Sequence, residues 1–341
     1  MNLPDLSNQK IVFFEVKYWE EEPIKNTFPT SVEVTKELLS EETVERFKDA
    51  TVVSTFIDSR LNKDVLSKFS NLKFITTRST GYDHIDINYC NERGIKVANV
   101  PSYGSNTVAE HAFMLMLALM KRLPESAQRV KEGHFSPEDL TGSDVQGKVI
   151  GVIGTGKIGV NMIQMANGFG MKVLAFDVNQ DKNLEESLGF TYVDMDYMLS
   201  KADVLSVHVP YIKPTHHLIN RDAIAKMKKG VIIINTSRGG IIETDALYDG
   251  LRSGQIGGAG LDVVEEEAFV KEEIELLHKD TYGDVDFKIA LENHMMAYFP
   301  NVIITPHNAF NTHEALQRII DTSIGNIVGF LNNEPVNILN K

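Results

Sequence analysis

Short apolar runs of strand length recur along this chain, and the stretches between them carry the spacing of amphipathic helices. In the N-terminal third, residues 11–14, 32–34, 50–54, 74–77 and 96–100 read as strands, with helical patterns over 36–47 and 62–69 between them. Strands that alternate with helices predict a parallel sheet covered on both faces. Thr107, Val108, Ala109 and Glu110 then form a capping-box pattern that opens a helix over 108–123, ended by Pro124. That helix is apolar nearly all round, which implies burial, either as a connector between domains or as a dimer interface. Residues 133–147 are polar and turn-rich and read as a loop. From Val149 the alternation resumes, with strands over 149–153, 173–176, 204–209, 231–235, 259–263 and 302–305. Six strands is the count of a two-half dinucleotide-binding sheet. The segment 264–300 begins acidic and reads as helices near 274–278 and 287–299, and a last helix spans 312–331.

The strand at Val149 runs straight into Gly154, Thr155, Gly156, Lys157, Ile158 and Gly159. This is the G-x-G-x-x-G spacing between a strand and a helix. The first glycine permits the tight turn, the second lets amides approach a pyrophosphate, and the third lets helix and strand pack closely. The helix N-terminus adds unpaired N–H donors and partial positive charge. Asp177 ends the next apolar run, where a ribose-binding carboxylate is expected, and it favours NAD over NADP because it would repel a 2′-phosphate. A plain turn followed by a helix-capping acid is the bland alternative.

Composition narrows the setting. The chain has 341 residues, which points to two domains, and its net charge of −13 with no basic run argues against nucleic acid. Cys90 is the one cysteine, so no disulfide closes within the chain, and residues 1–10 show no apolar signal core. The longest apolar run, 112–120, falls short of the roughly 20 residues that span a bilayer. A cytoplasmic protein with no membrane partner is expected. No cluster of residues reads as a metal site: His216 and His217 are adjacent, start a surface turn, and have no supporting cysteine or carboxylate group.

In an open parallel sheet, ligands sit beyond the carboxyl ends of the strands. Three polar residues stand there: Arg238, Glu267 and His307. Hydride exchange at a carbinol carbon needs a group that manages the hydroxyl proton, a task suited to histidine. It needs a cation to hold a carboxylate and polarise a carbonyl, which the planar arginine fork does. A carboxylate beside the histidine favours its protonated form. Each has an alternative: Arg238 as a cap for carbonyls, Glu267 as part of a solvated acidic run, His307 as a loop hydrogen-bonder. His208 ends a strand, either against the cofactor or as packing, and His111 on the apolar helix reads as a satisfied core histidine.

These motifs, together with Asn235 to Gly240, Gly260 to Val263 and Thr305-Pro306-His307, resemble the D-isomer-specific 2-hydroxyacid dehydrogenases over nearly the whole chain. The resemblance implies a Rossmann-type NAD domain over 102–307 and a flavodoxin-like split substrate domain over 1–101 and 308–341, both doubly wound parallel-sheet α/β units, with the active site in the cleft. It implies Arg238 as the substrate-binding arginine, His307 as acid and base, and Glu267 as its partner. NAD is expected on Gly154 to Gly159, Asp177, His208, Val209, Pro210 and Thr236, with Asp262 at the nicotinamide carboxamide. The likeness is nearest the D-lactate dehydrogenase group, through Tyr103, Phe310 and the long interval between Glu267 and His307. Thr80 and Gly81 match the loop that holds the substrate carboxylate, although Thr80 replaces a small apolar residue, and Phe56 stands where it could wall the pocket. The implied reaction is reversible reduction of pyruvate to D-lactate by a homodimer. Phenyllactate, 2-hydroxyisocaproate and hydroxypyruvate or glyoxylate chemistry are alternatives within the family. An NAD(H)-sensing, co-repressor-like protein is the alternative outside enzymology.

Overall fold

A computed structural model describes residues 9–265 and 287–340, and the chain divides into two compact units. The first comprises the chain up to Tyr103 and the tail from Thr312, and the second runs from Gly104 to Asn311.

In the first unit, β1 (Ile11–Phe13), β2 (Val32–Val34), β3 (Val52–Thr55), β4 (Phe74–Thr77) and β5 (Lys96–Ala98) form one parallel sheet in the order β2-β1-β3-β4-β5. This is the flavodoxin-like order. β1, β3 and β4 are buried throughout, as parallel strands covered on both faces must be. On one face, Ile11, Phe13 and Phe74 pack against Ile24 of α1 (Glu21–Thr27) and against Ile320 and Ile327 of the C-terminal helix His313–Leu331. Phe330 of that helix stacks on Phe74 with ring centres 4.4 Å apart. On the other face, Val12, Val53 and Ile75 meet Leu66 of α2 (Lys63–Ser67) and Cys90 of α3 (Ile87–Arg93). The helix expected over 36–47 does not form; a single 3-10 turn, Val44–Arg46, is all that is helical there. Glu37 and Thr35 offer their carbonyls to Glu15 and Val16, which extends the strand pairing. Ser40 N–H donates to Thr43 Oγ1, and Thr43 Oγ1 donates to the Leu38 carbonyl, so local side-chain bonds replace helical ones.

The second unit holds β6 (Val149–Ile153), β7 (Lys172–Phe176), β8 (Thr191–Tyr192), β9 (Val204–Val207), β10 (Val231–Asn235), β11 (Ile256–Leu261) and β12 (Val302–Ile304). Their order is β12-β11-β10-β9-β6-β7-β8, all parallel, so the winding reverses between β6 and β9. Such a switch point is where open α/β sheets bind ligands. The sheet has seven strands rather than six; β8 is two residues long, too short for a hydrophobic pattern to reveal.

α4 (Ser105–Met120) lies on one face, with Phe113, Leu115 and Met116 packed among Ile150, Val152 and Ile234. Most of its apolar face is therefore buried inside this unit, with Met114 left exposed. It stops before Pro124: Arg122 turns into the left-handed region with φ 51°, and α5 (Leu123–Lys131) starts with Pro124 in its first turn, where a missing N–H is harmless. α6 (Lys157–Gly168) shares the α4 face through Met162 and Ile163. α7 (Lys182–Leu188) sits near the β7 edge, and α8 (Met195–Lys201), α9 (Arg221–Lys226) and α10 (Thr244–Ser253) cover the opposite face. The helix predicted over 287–299 appears as Phe287–Ala297, and the one predicted near 274–278 lies outside the described residues. Residues 308–311 belong to the second unit rather than the first, because the amides of Asn308 and Ala309 donate to Asp262. Among the described residues no helix is long and apolar enough to cross a membrane.

Candidate active site

The nucleotide turn is built from backbone. Gly154 has φ 96°, a conformation L side chains rarely adopt, and a Cβ there would lie 2.7 Å from the His208 carbonyl oxygen. A Cβ on Gly159 would lie 2.0 Å from the Gly154 carbonyl oxygen, so α6 can approach the turn only with glycine there. No side chain caps α6; its N-cap is Gly156, and a Cβ at Gly156 would meet open space. Lys157 and Ile158 form its first turn, with the amide donors and dipole that suit a pyrophosphate.

Asp177 follows β7 and is tied to this turn. Thr155 donates to its Oδ2 through N–H at 2.7 Å and Oγ1 at 3.0 Å, and the Asn179 amide donates to Oδ1 at 2.9 Å. Burial works against the charge, but the amides of Asn179 and Thr155 and the Thr155 hydroxyl outweigh it and hold the carboxyl below its ordinary range. Oδ2 already takes two donors, so Oδ1, which takes the Asn179 amide, is the oxygen with room for a ribose hydroxyl.

Further along the sheet, His208 and Thr236 follow β9 and β10. His208 is fixed by Ser206 Oγ at 2.8 Å, and enclosure of its ring pushes its pKa down to about 4, so it is neutral at physiological pH. Its Nδ1 and Thr236 Oγ1 are buried polar atoms with no hydrogen-bond partner. Buried polar groups are rarely left so, and both atoms suit a bound polar ligand such as the dinucleotide. Val209 is half-buried and Pro210 exposed beside them. The residues present fit NAD.

The two described catalytic candidates stand in the same unit. Arg238 follows β10 in a turn shaped by Asn235, whose Nδ2 donates to the Arg238 carbonyl at 2.9 Å and whose Oδ1 accepts from the Ser237 amide at 3.0 Å. The half-buried guanidinium also donates to its neighbour's carbonyl, Ser237 O, at 2.8 Å. His307 follows β12 with φ 51°, in the left-handed region that costs a non-glycine residue roughly 1 kcal/mol. Asp262, at the end of β11 and 1% exposed, holds it there. Its carbonyl accepts the His307 amide at 2.9 Å. Its carboxylate accepts Thr305 Oγ1, Asn308 N–H at 2.8 Å and Ala309 N–H at 2.9 Å. Phe310 follows, half-buried. Glu267 lies outside the described residues.

In the first unit, Thr80 and Gly81 follow β4. Thr80 Oγ1 donates to the Val100 carbonyl at 2.7 Å, its own carbonyl accepts Asn99 Nδ2 at 2.8 Å, and Ser79 Oγ donates to the Gly81 carbonyl at 2.6 Å. Tyr103 is half-buried beyond β5, its carbonyl accepting Arg318 Nε at 2.5 Å.

Two histidines set aside on sequence have defined partners. His111 Nε2 lies 3.0 Å from Thr305 Oγ1. His217 Nε2 lies 2.7 Å from Glu265 Oε1, whose second oxygen accepts from Thr244. The signal for both is long-range, since their partners are 194 and 48 residues away in sequence.

A dinucleotide turn with an acid beyond the second strand, and an arginine and a histidine at strand ends of the same sheet, define a nicotinamide-dependent dehydrogenase. Residues 113–309 match the family model described as D-isomer specific 2-hydroxyacid dehydrogenase, NAD binding domain. The chain is 35% identical over 334 residues to 2-hydroxyacid dehydrogenase homolog 1 of Schizosaccharomyces pombe, covering 96% of this chain and 98% of that one. It is 36% identical over 316 residues to the D-lactate dehydrogenase of Escherichia coli, covering 92% and 93%. The structure is similar to that of D-lactate dehydrogenase from Aquifex aeolicus complexed with NAD and lactic acid, with a TM-score of 0.89 and 36% identity over 97% of this chain and 99% of the other. The chain belongs to the D-isomer-specific 2-hydroxyacid dehydrogenase family and is an NAD-dependent oxidoreductase.

Proposed function

We propose that this protein is a D-lactate dehydrogenase that reduces pyruvate to D-lactate with NADH, and reverses the reaction, as a cytoplasmic homodimer. The observation that carries the chemistry is His307 held at the end of β12 by Asp262, two strands from Arg238 in the order β12-β11-β10. The pyruvate assignment rests on likeness to the D-lactate dehydrogenases and on Tyr103 and Phe310. The dimer rests on the family resemblance and on the exposed apolar side chains Leu123, Val130 and Phe135.

The Gly154 to Gly159 turn, Asp177, His208 to Pro210, Thr236 and Asp262 hold the cofactor, which when bound supplies the hydride. Arg238 takes the substrate carboxylate in its planar fork and polarises the ketone. The family resemblance gives the amides of Thr80 and Gly81 a share in substrate binding. His307 in its protonated form gives a proton to the ketone oxygen, and in the oxidative direction takes it back. Glu267 favours the protonated ring and fixes its orientation. Positioned acid catalysis of this kind contributes roughly 10²–10⁴ in rate.

The test is NADH consumption, followed by its absorbance, against a panel of 2-keto acids with the product's configuration assigned. Pyruvate as the best substrate, giving the D-acid, supports the reading. Preference for phenylpyruvate, a branched keto acid, hydroxypyruvate or glyoxylate keeps the mechanism and moves the substrate. His307→Ala should lose roughly 10²-fold or more in kcat with NADH affinity retained, and near-normal turnover sinks the assignment. NADH binding without turnover of any keto acid by the unaltered protein points instead to a dinucleotide sensor. Native mass tests the dimer, and a species of 38.1 kDa refutes it.

A further inference from the structure

His111 sits on α4 and reaches both Asp262 and Thr305, two residues before His307. Its Nε2 lies 3.0 Å from Thr305 Oγ1 and 3.5 Å from Asp262 Oδ1, and its side chain is 13% exposed. Counting protons fixes the direction of the first contact. A threonine hydroxyl has one hydrogen, and that of Thr305 goes to Asp262 Oδ1, an acceptor without a proton to give. Thr305 Oγ1 can then only accept from His111, so the imidazole carries its proton on Nε2. Burial of the ring lowers its pKa, and the charge of Asp262 pulls the other way; Nε2 carries a proton toward Thr305 in either charge state. The result is a directed chain: His111 N–H to Thr305 O–H to Asp262 carboxylate, which receives the amides that follow His307.

The chain matters because the loop's own bonds, the His307 amide to the Thr305 carbonyl at 2.9 Å and the Asn311 amide to the Asn308 carbonyl at 3.0 Å, leave the amides of Asn308 and Ala309 to Asp262. His307 occupies a backbone conformation that persists only where its surroundings over-determine it. Asp262 supplies those surroundings, and Thr305, two residues before His307, sets one of its oxygens. α4 is a rigid mount for the first donor, since Leu115 and Leu119 pack against β11, close to Gly260.

We propose that His111 is a positioning residue for His307: its Nε2–H orients the Thr305 hydroxyl toward Asp262 and thereby fixes the backbone that carries the acid/base group. The rate consequence rests on the proposed role of His307; the structural one does not.

The test compares His111→Phe with His111→Gln, whose side-chain amide restores an N–H donor at the same reach. The Phe variant should lose about ten-fold in kcat, the rate equivalent of one hydrogen bond, with NADH affinity unchanged. Amide hydrogen exchange of the peptide spanning residues 305–311 should quicken by a similar factor. The Gln variant should recover both readouts to within about three-fold of the unaltered protein. A role in core packing alone predicts no recovery by Gln, which is polar and smaller than the ring, and that result overturns the proposal. So does a Phe variant that exchanges and turns over normally. If the unaltered protein reduces no keto acid, the functional reading fails while the exchange comparison still decides the positioning role.

Discussion

Both units bury charge beneath strand ends, and the central group differs in sign: an arginine set among the buried carboxylates of Glu15 and Glu20 in the first, an aspartate in the second. In the first unit the charge is Arg78, 1% exposed, directly after β4. Its guanidinium donates to the carbonyls of Phe14 at 2.7 Å and Glu15 at 3.1 Å and to Ser54 Oγ at 3.1 Å, with Glu20 Oε1 3.0 Å from its Nε. In the second unit the charge is the Asp262 carboxylate, which takes N–H and O–H donors from the chain after β12. The difference follows from what each strand end leaves unpaired. Where the chain beyond β1 presents carbonyls to the interior, Nη2 of the arginine satisfies both of them. Where the chain beyond β12 turns its amides inward, a carboxylate accepts them. The compensation differs too: Arg78 has a full counter-charge in Glu20, whereas Asp262 is met by backbone amides, the Thr305 hydroxyl and, 3.5 Å away, the His111 ring.

The largest effect expected from breaking this comparison is at Arg78. Arg78→Met leaves Glu20 buried without its counter-charge, beside orphaned carbonyls, and should cost about 3–5 kcal/mol in denaturant unfolding of the first unit. A loss below about 1 kcal/mol would mean that the ion pair is dispensable and the contrast between units empty. Asp262→Asn keeps the shape but supplies one acceptor oxygen where two were used. About 2 kcal/mol of stability should go, and kcat should fall with it, because the His307 loop loses an anchor. Unchanged kcat in a variant so destabilised would separate Asp262 from His307. The smallest effect sharpens the picture with a third carboxyl site. Glu292, on the helix Phe287–Ala297 and 8% exposed, is pushed up to about 7, first by burial and then by its hydrogen bond to Asp245 and that residue's charge. Because the folded state favours its protonated form, its contribution is complete below the ordinary carboxyl range near 4.5 and disappears as pH rises through about 7. Thermal stability should therefore decline over that interval, by an amount on the order of 1 kcal/mol, and Glu292→Gln should flatten the decline. The same slope in the Gln variant would place its origin elsewhere.

The long β-branched runs were legible from sequence because parallel strands covered on both faces are largely apolar and β-branched, as Val231 to Ile234 are, with polar residues such as Asn235, Thr76 and Thr77 confined to the strand ends. The glycine turn was legible because its sterics are local: a Cβ at Gly154 or Gly159 would clash with the neighbouring strand end or with the turn itself. The stretch 36–47 misled because its apolar spacing suits a helix, while Ser40 and Thr43 offer the backbone other partners. Pro124 misled because a proline that stops one helix is equally at home in the first turn of the next.

By itself, the sequence determined the two alternating α/β patterns, the dinucleotide turn with Asp177 and the strand-end positions of Arg238 and His307, since each follows from short-range periodicity and spacing. Tertiary structure alone decided that Asp262 grips the loop of His307, that His111 lies behind it 194 residues from Thr305, and that Arg78 closes the strand ends of the first unit. The physical reason is the same in each case. A buried polar group finds its partner wherever folding brings one, and sequence separation carries no record of that meeting.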